Sequence, residues 1–139
     1  MVANTIPIFT NVPSIANDSA VGIVANTTKD LTSGTIYLVY TADATDGSFV
    51  QKLRVRPKGT NVATVMRVFL NNGLTTATVA NNMLYDEITL PATTNVENAA
   101  LLGYDVPMNI ALPPGWRIYV TCGTIVAGGY AVTTIAGNY

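Results

Sequence analysis

The sequence predicts an all-β fold, an antiparallel β-sandwich of jelly-roll-like type with at most one short helix. Eight to ten short runs of β-branched, aromatic and aliphatic residues succeed one another along the 139 residues. Clusters of Gly, Pro, Asn and Asp separate them at the spacing expected of a two-sheet antiparallel protein. One stretch alone, near residue 95, carries a helix-start signature.

In chain order, residues 1–18 hold Pro7 and Pro13 among small polar residues, with a brief apolar run from Ile6 to Phe9. They read as an extended arm or edge strand ahead of a single domain over residues 19–139, and an arm of this kind is a candidate for crossing to a neighbour. Ser19 to Ala25 is a candidate strand, and Asn26 to Gly34 is turn-like. Thr35 to Thr41 is apolar on both alternating sides, the pattern of a central strand covered on both faces, with part of that cover supplied by another subunit.

Ala42 to Ser48 is a loop containing Asp43, Asp46 and Gly47. Ca²⁺ needs six to eight oxygens, and two local carboxylates with no EF-hand spacing favour a plain hairpin turn. From Phe49 to Asn72 the pattern is a strand pair. Phe49, Leu53 and Val55 face one way, while Lys52, Arg54, Arg56 and Lys58 form a basic row on the other. Val62 to Leu70 returns after the Pro57–Asn61 turn.

Asn82 to Pro91 is a further strand. Its adjacent Asp86 and Glu87 point to opposite faces, which excludes a cooperating acid/base pair, although either would face the basic row if the strands were neighbours. Thr94-Asn95-Val96-Glu97 matches a capping box ahead of a short helix at Asn98 to Leu102, closed by Gly103.

Val106, Met108, Ile110 and Leu112 form an apolar row that Pro113-Pro114-Gly115 ends. Trp116, Ile118, Val120 and Cys122 continue on one side of the next strand, with Arg117, Tyr119 and Thr121 opposite. Tyr130 to Ile135 alternates in a last strand, and the short Gly123–Gly129 connection favours antiparallel pairing of these two.

Composition limits function. Only 11% of residues are charged while 49% are hydrophobic, against about 25% charged in a typical soluble domain. A surface this poor in charge favours association with further copies or another protein. The net charge of −1 gives no overall attraction to nucleic acid or an anionic membrane. The basic row lacks interleaved aromatics, so a solvated face or a stripe facing an acidic partner fits it better than a nucleic-acid surface.

No ~20-residue apolar run reads as a membrane span, and the first residues lack the pattern of a secretory signal. A chain without histidine and with one cysteine has no His-based triad, Cys-His dyad, histidine metal site or multi-thiolate zinc site. Cys122, on an apolar row, reads as a small buried hydrophobe. No Walker loop, dinucleotide fingerprint or nucleophile elbow is present. The expectation is a protein without catalytic residues, metal or cofactor.

Several local patterns carry a resemblance: Leu112-Pro113-Pro114-Gly115-Trp116, Thr121-Cys122-Gly123-Thr124, Val126-Ala127-Gly128-Gly129-Tyr130 and Gly137-Asn138-Tyr139. To these add Lys58-Gly59-Thr60-Asn61-Val62-Ala63-Thr64 and Phe69-Leu70-Asn71-Asn72-Gly73. Together they span about half the chain. They are similar in pattern to small virion proteins of tailed bacteriophages, of the capsid decoration (cement) type. Cys122 stands where that group usually has a small or apolar residue.

The resemblance implies a β-sandwich that assembles as a homo-oligomer, often a trimer, on the capsid surface. It would brace contacts of the major capsid protein after synthesis in the host cytoplasm, with no nucleic-acid or membrane partner. Tyr37, Val39, Arg117, Tyr119 and Tyr130 are then the residues to examine for interfaces, and Lys52, Arg54, Arg56 and Lys58 for a partner-facing row. A second class, a receptor- or carbohydrate-binding sandwich from a tail fibre or baseplate, calls for aromatics grouped in a surface groove.

Overall fold

A computed structural model describes residues 10–139. Eight strands follow in order: β1 Val12–Val21, β2 Tyr37–Thr41, β3 Ser48–Pro57, β4 Thr64–Asn71, β5 Asn82–Leu90, β6 Tyr104–Leu112, β7 Arg117–Cys122 and β8 Tyr130–Asn138. They form two four-stranded antiparallel sheets, in the orders β1-β8-β3-β6 and β2-β7-β4-β5. Within the sheets the pairs are β1 with β8, β2 with β7, β3 with β6 and β4 with β5. First pairs with last, second with seventh, and so inward, as when one long hairpin is rolled across two sheets. This is the jelly roll.

The arrangement corrects two expected pairings. β7 and β8 lie in different sheets, as do β3 and β4. Their short connections cross the sandwich, about 10 Å thick, instead of turning within a sheet. Both crossings are pinned by buried groups: Val126 is fully buried and its N–H donates to the Gly22 carbonyl, while Asn61 donates to the Gly129 carbonyl and accepts from the Gly128 N–H.

The core between the sheets holds Val50, Leu53, Val55, Met66, Val68, Ile118, Val120, Cys122 and Val132, none with measurable exposure. Each such aliphatic side chain contributes about 1.5–3 kcal/mol on burial. Cys122 lies among them as a small hydrophobe, its thiol pushed up to about 12 by desolvation.

β-Bulges account for two departures from simple alternation, in β2 and β3, while in β6 Val106, Met108, Ile110 and Leu112 all face inward as expected. An extra residue at Val39 turns Val39 and Tyr40 both inward, so the doubly apolar run belongs to an edge strand with Leu38 exposed, not to a central strand. An extra residue at Gln51 puts Val50, not Phe49, on the inner face with Leu53. In β6 the bulge at Met108 and Asn109 is accommodated by a left-handed Asn109, φ 49.

The candidate strand at Ser19–Ala25 is also redrawn. β1 begins earlier, at Val12, runs through the expected domain start and stops at Val21, where Gly22 takes φ 90. The apolar run Ile6–Phe9 lies outside the described residues. The expected helix at Asn98–Leu102 is absent. Val96 and Ala99 bridge across a tight turn, and the Asn95 N–H is taken by the Thr60 hydroxyl at 3.0 Å. Among the described residues the helical element is a single 3-10 turn, Val79–Asn81.

Candidate interaction surface

The two outward faces of the sandwich differ. On the β2-β7-β4-β5 sheet, the segment joining β1 to β2 folds back over the outer face. Leu31 from that segment buries against Phe69 and Tyr119, with Ile36 alongside. Asn26 fastens the segment: its amide donates to the Ser33 and Thr35 carbonyls at 2.8 and 3.0 Å, and its side-chain oxygen accepts from the Thr28 N–H and hydroxyl. Arg67, reaching out from β4, donates to the Asn26 carbonyl and to Glu87, which Lys29 also approaches. The Arg67 hydrogen bond, aided by the Lys29 hydrogen bond and the two charges, holds the Glu87 carboxyl below its ordinary value against opposing desolvation.

On the outer face of the β1-β8-β3-β6 sheet no described segment buries a comparable hydrophobic cluster, although Thr10 packs on Gly137 at one end and Gly103 against Arg56 at the other. Strand register resolves its outer face into rows running across all four strands. One row reads Pro13, Gly137, Phe49, Ala111; the next Ile15, Ile135, Lys52, Pro107; the next Asn17, Thr133, Arg54, Asp105. Beyond them Ala131 stands opposite Arg56. Residues facing one another across such rows have Cβ atoms about 4.5–5.5 Å apart. The face therefore grades from apolar to basic, with Ile15 70% exposed in its apolar half.

Three cations of the sequence-predicted row thus share this face, and Lys58 follows just beyond β3. Their acidic neighbour is Asp105, not Asp86 or Glu87, because β5 lies in the other sheet. Lys52 Nζ is 2.8 Å from Asp105 Oδ2 and Arg54 3.5 Å from Oδ1. The Lys52 hydrogen bond, with the Lys52 and Arg54 charges, depresses the Asp105 carboxyl below its ordinary value. Lys58 Nζ donates to the Ser19 carbonyl at 2.6 Å. Arg56 lies over Gly103, where an added Cβ would stand 2.7 Å from its Cδ.

The residues expected at interfaces sit elsewhere. Tyr37, Val39, Tyr119 and Tyr130 are buried within the chain, and Arg117 is half-buried at the start of β7. Tyr37 and Val39 point into the main core, Tyr119 lies under the β1–β2 segment, and Tyr130 comes inward from β8. Burial, with smaller contributions from Cys122 and Tyr104, pushes the Tyr130 phenol up to about 12.

In the Asp43–Gly47 loop, the Asp43 carboxylate accepts the Thr45 and Asp46 N–H groups at 2.8 and 2.9 Å, which lowers its pKa and closes the turn. What sequence reasoning missed is the apolar half of the open face. Ile15, Phe49 and Ile135 are remote in sequence, and the Gln51 bulge that turns Phe49 outward leaves no mark in the residue pattern.

Comparison of the chain with protein-family models, curated proteins and solved structures gives no significant match.

Proposed function

We propose that this chain is a non-enzymatic virion structural protein, a capsid decoration (cement) protein of a tailed bacteriophage. In this reading it assembles as a homo-oligomer, a trimer by the resemblance, on the outside of the head and braces contacts between major capsid subunits. The observation that supports it best is the asymmetry of the sandwich. On one sheet the chain's own β1–β2 segment buries Phe69 and Tyr119, and the other presents a four-strand-wide outer face that grades from apolar to basic. A jelly roll is a fold of capsid and lectin domains alike, so the surface and not the fold carries the argument.

A carbohydrate-binding role asks for aromatic rings at the surface. Here Tyr37, Tyr40, Phe69, Tyr119 and Tyr130 are core residues, Phe49, Tyr104, Trp116 and Tyr139 are half-buried, and Tyr85 is the most exposed aromatic among the described residues. Tyr85 also reaches across the sandwich edge to donate to the Met108 carbonyl at 3.4 Å. The capsid reading is the better fit.

The test is binding to phage heads stripped of the protein, together with its copy number per particle. Saturable binding and hundreds of copies support head decoration. A few to a few dozen copies, or a chain that stays monomeric and ignores stripped heads, would overturn it.

A further inference from the structure

We infer that the outer face of the β1-β8-β3-β6 sheet is the docking surface, and that it takes a flat, carboxylate-bearing protein surface. In the capsid reading, on which the partner's identity rests, that surface belongs to the shell. Charge complementarity carries the inference. Four of the chain's seven Lys and Arg residues lie in or directly after β3. Lys52, Arg54 and Arg56 project outward on alternate residues, about 6.6–6.8 Å apart along the strand. Asp105 answers two of them, and no carboxylate among the described residues lies within ion-pair distance of Arg56 or Lys58. The face thus stays positive on a chain of net charge −1. A second strand or sheet presenting carboxylates on alternate residues has the same repeat.

A second copy does not meet this requirement. Stacked face to face, it sets cations against cations. Its acids are dispersed: the Asp18, Asp30, Asp43 and Asp86 carboxylates accept nearby backbone N–H groups, Glu87 is held by Arg67 and Lys29, Asp105 by Lys52 and Arg54, and Asp46 and Glu97 sit in separate loops. Nucleic acid fits poorly too. A phosphate backbone would leave Ile15, Ile135 and Pro107 uncovered, and the rows hold a single aromatic, Phe49, beside Lys52 and two rows from Arg54, where a single-strand surface interleaves several with its cations.

The test measures co-sedimentation of the full chain with stripped heads for wild type, R54Q/R56Q and T45E/A77E. The two variants change net charge equally, but only the first touches the face. The expected result is at least tenfold weaker binding for R54Q/R56Q, near-wild-type binding for T45E/A77E, and weakening of wild-type binding between about 0.05 and 0.5 M NaCl.

If wild type binds and R54Q/R56Q binds equally well, the face is not the docking surface and the capsid reading stands. If wild type does not bind heads, the capsid reading itself falls. Retention of double-stranded DNA that R54Q/R56Q abolishes would reassign the face to nucleic acid. Should R54Q/R56Q not fold, I15Q and the salt series make the same decision: unchanged binding in both overturns the inference.

Discussion

Phe69 and Tyr119 are register partners on β4 and β7, and both are buried although they point away from the main core. Leu31 closes over them, φ 64, making a second small hydrophobic cluster. This part of the sheet's outer face is therefore internal to the chain, and Tyr119 is a stability residue.

Tyr119→Ser is accordingly expected to lower stability by about 2–4 kcal/mol, the range for truncating a large buried side chain. The measurement is the urea midpoint, with an unchanged slope. A wild-type midpoint would mean that the β1–β2 segment does not cover Tyr119 in solution.

Cys122 offers a probe of the main core. Its sulfur is enclosed, and desolvation pushes the thiol up to about 12, so at pH 8 it lacks the thiolate that reacts. Modification by an aromatic disulfide reagent should proceed at the rate of unfolding and accelerate with urea. Stoichiometric labelling of the native protein within seconds would show the β7 row to be open.

These two residues mark how far the sequence could be read. The period-two rows, the turn residues and the burial of Cys122 were legible, because a half-buried strand imposes alternation on its own residues. Sheet membership was not. The Pro57–Asn61 and Gly123–Gly129 connections are short enough for hairpins, and only the placement of Asn61 and Val126 in the interior makes them crossings. The basic row was legible as a row, but its partner Asp105 comes from a strand some fifty residues away, and register of that kind is fixed by packing, not by local pattern. Tyr119 was misassigned for a related reason: its strand alternates normally, and the cover comes from a polar-looking segment whose buried apolar anchor, Leu31, carries no periodic signal.

Acid should weaken the fold through its paired carboxylates. The folded-state pKa of Asp105 lies below its ordinary 3.8, and that of Glu87 below 4.5. For a depressed carboxyl the stabilisation is present above the unfolded value and lost as pH falls through the folded one. The melting temperature is expected to hold near neutrality and decline below about pH 4, and Asp105→Asn should flatten part of that decline. Both groups are solvent-accessible, so about 0.5 M NaCl should shrink the effect. A decline that Asp105→Asn leaves unaltered would remove the Lys52–Asp105 pair from the account.

Gly47 is the backbone position least open to change. Its φ of 79 favours glycine, and an added Cβ would stand 2.4 Å from the Leu112 carbonyl oxygen. Gly47→Ala therefore combines left-handed strain of about 1–2 kcal/mol with a clash against backbone that cannot rotate away. Asn109, also left-handed at φ 49 but exposed in the β6 bulge, should accept glycine with little change in midpoint. Equal midpoints for Gly47→Ala and Asn109→Gly would contradict the turn geometry.

Asn26 is the residue on which the cover of the second sheet depends. Its side chain makes four hydrogen bonds within the β1–β2 segment, its N–H donates to the Cys122 carbonyl at 2.8 Å, and its own carbonyl accepts from Arg67. Alanine keeps the two backbone bonds and removes the side-chain four, which at a partly buried site contribute about 0.5–1.5 kcal/mol each. The damage should be local, because the segment rests on the three-residue Leu31 cluster and not on the main core. Hydrogen exchange of Asn26→Ala should thus speed up across residues 23–36 while the β3 and β8 amides keep their protection. Uniform acceleration across both sheets would instead make the segment part of one cooperative unit with the sandwich.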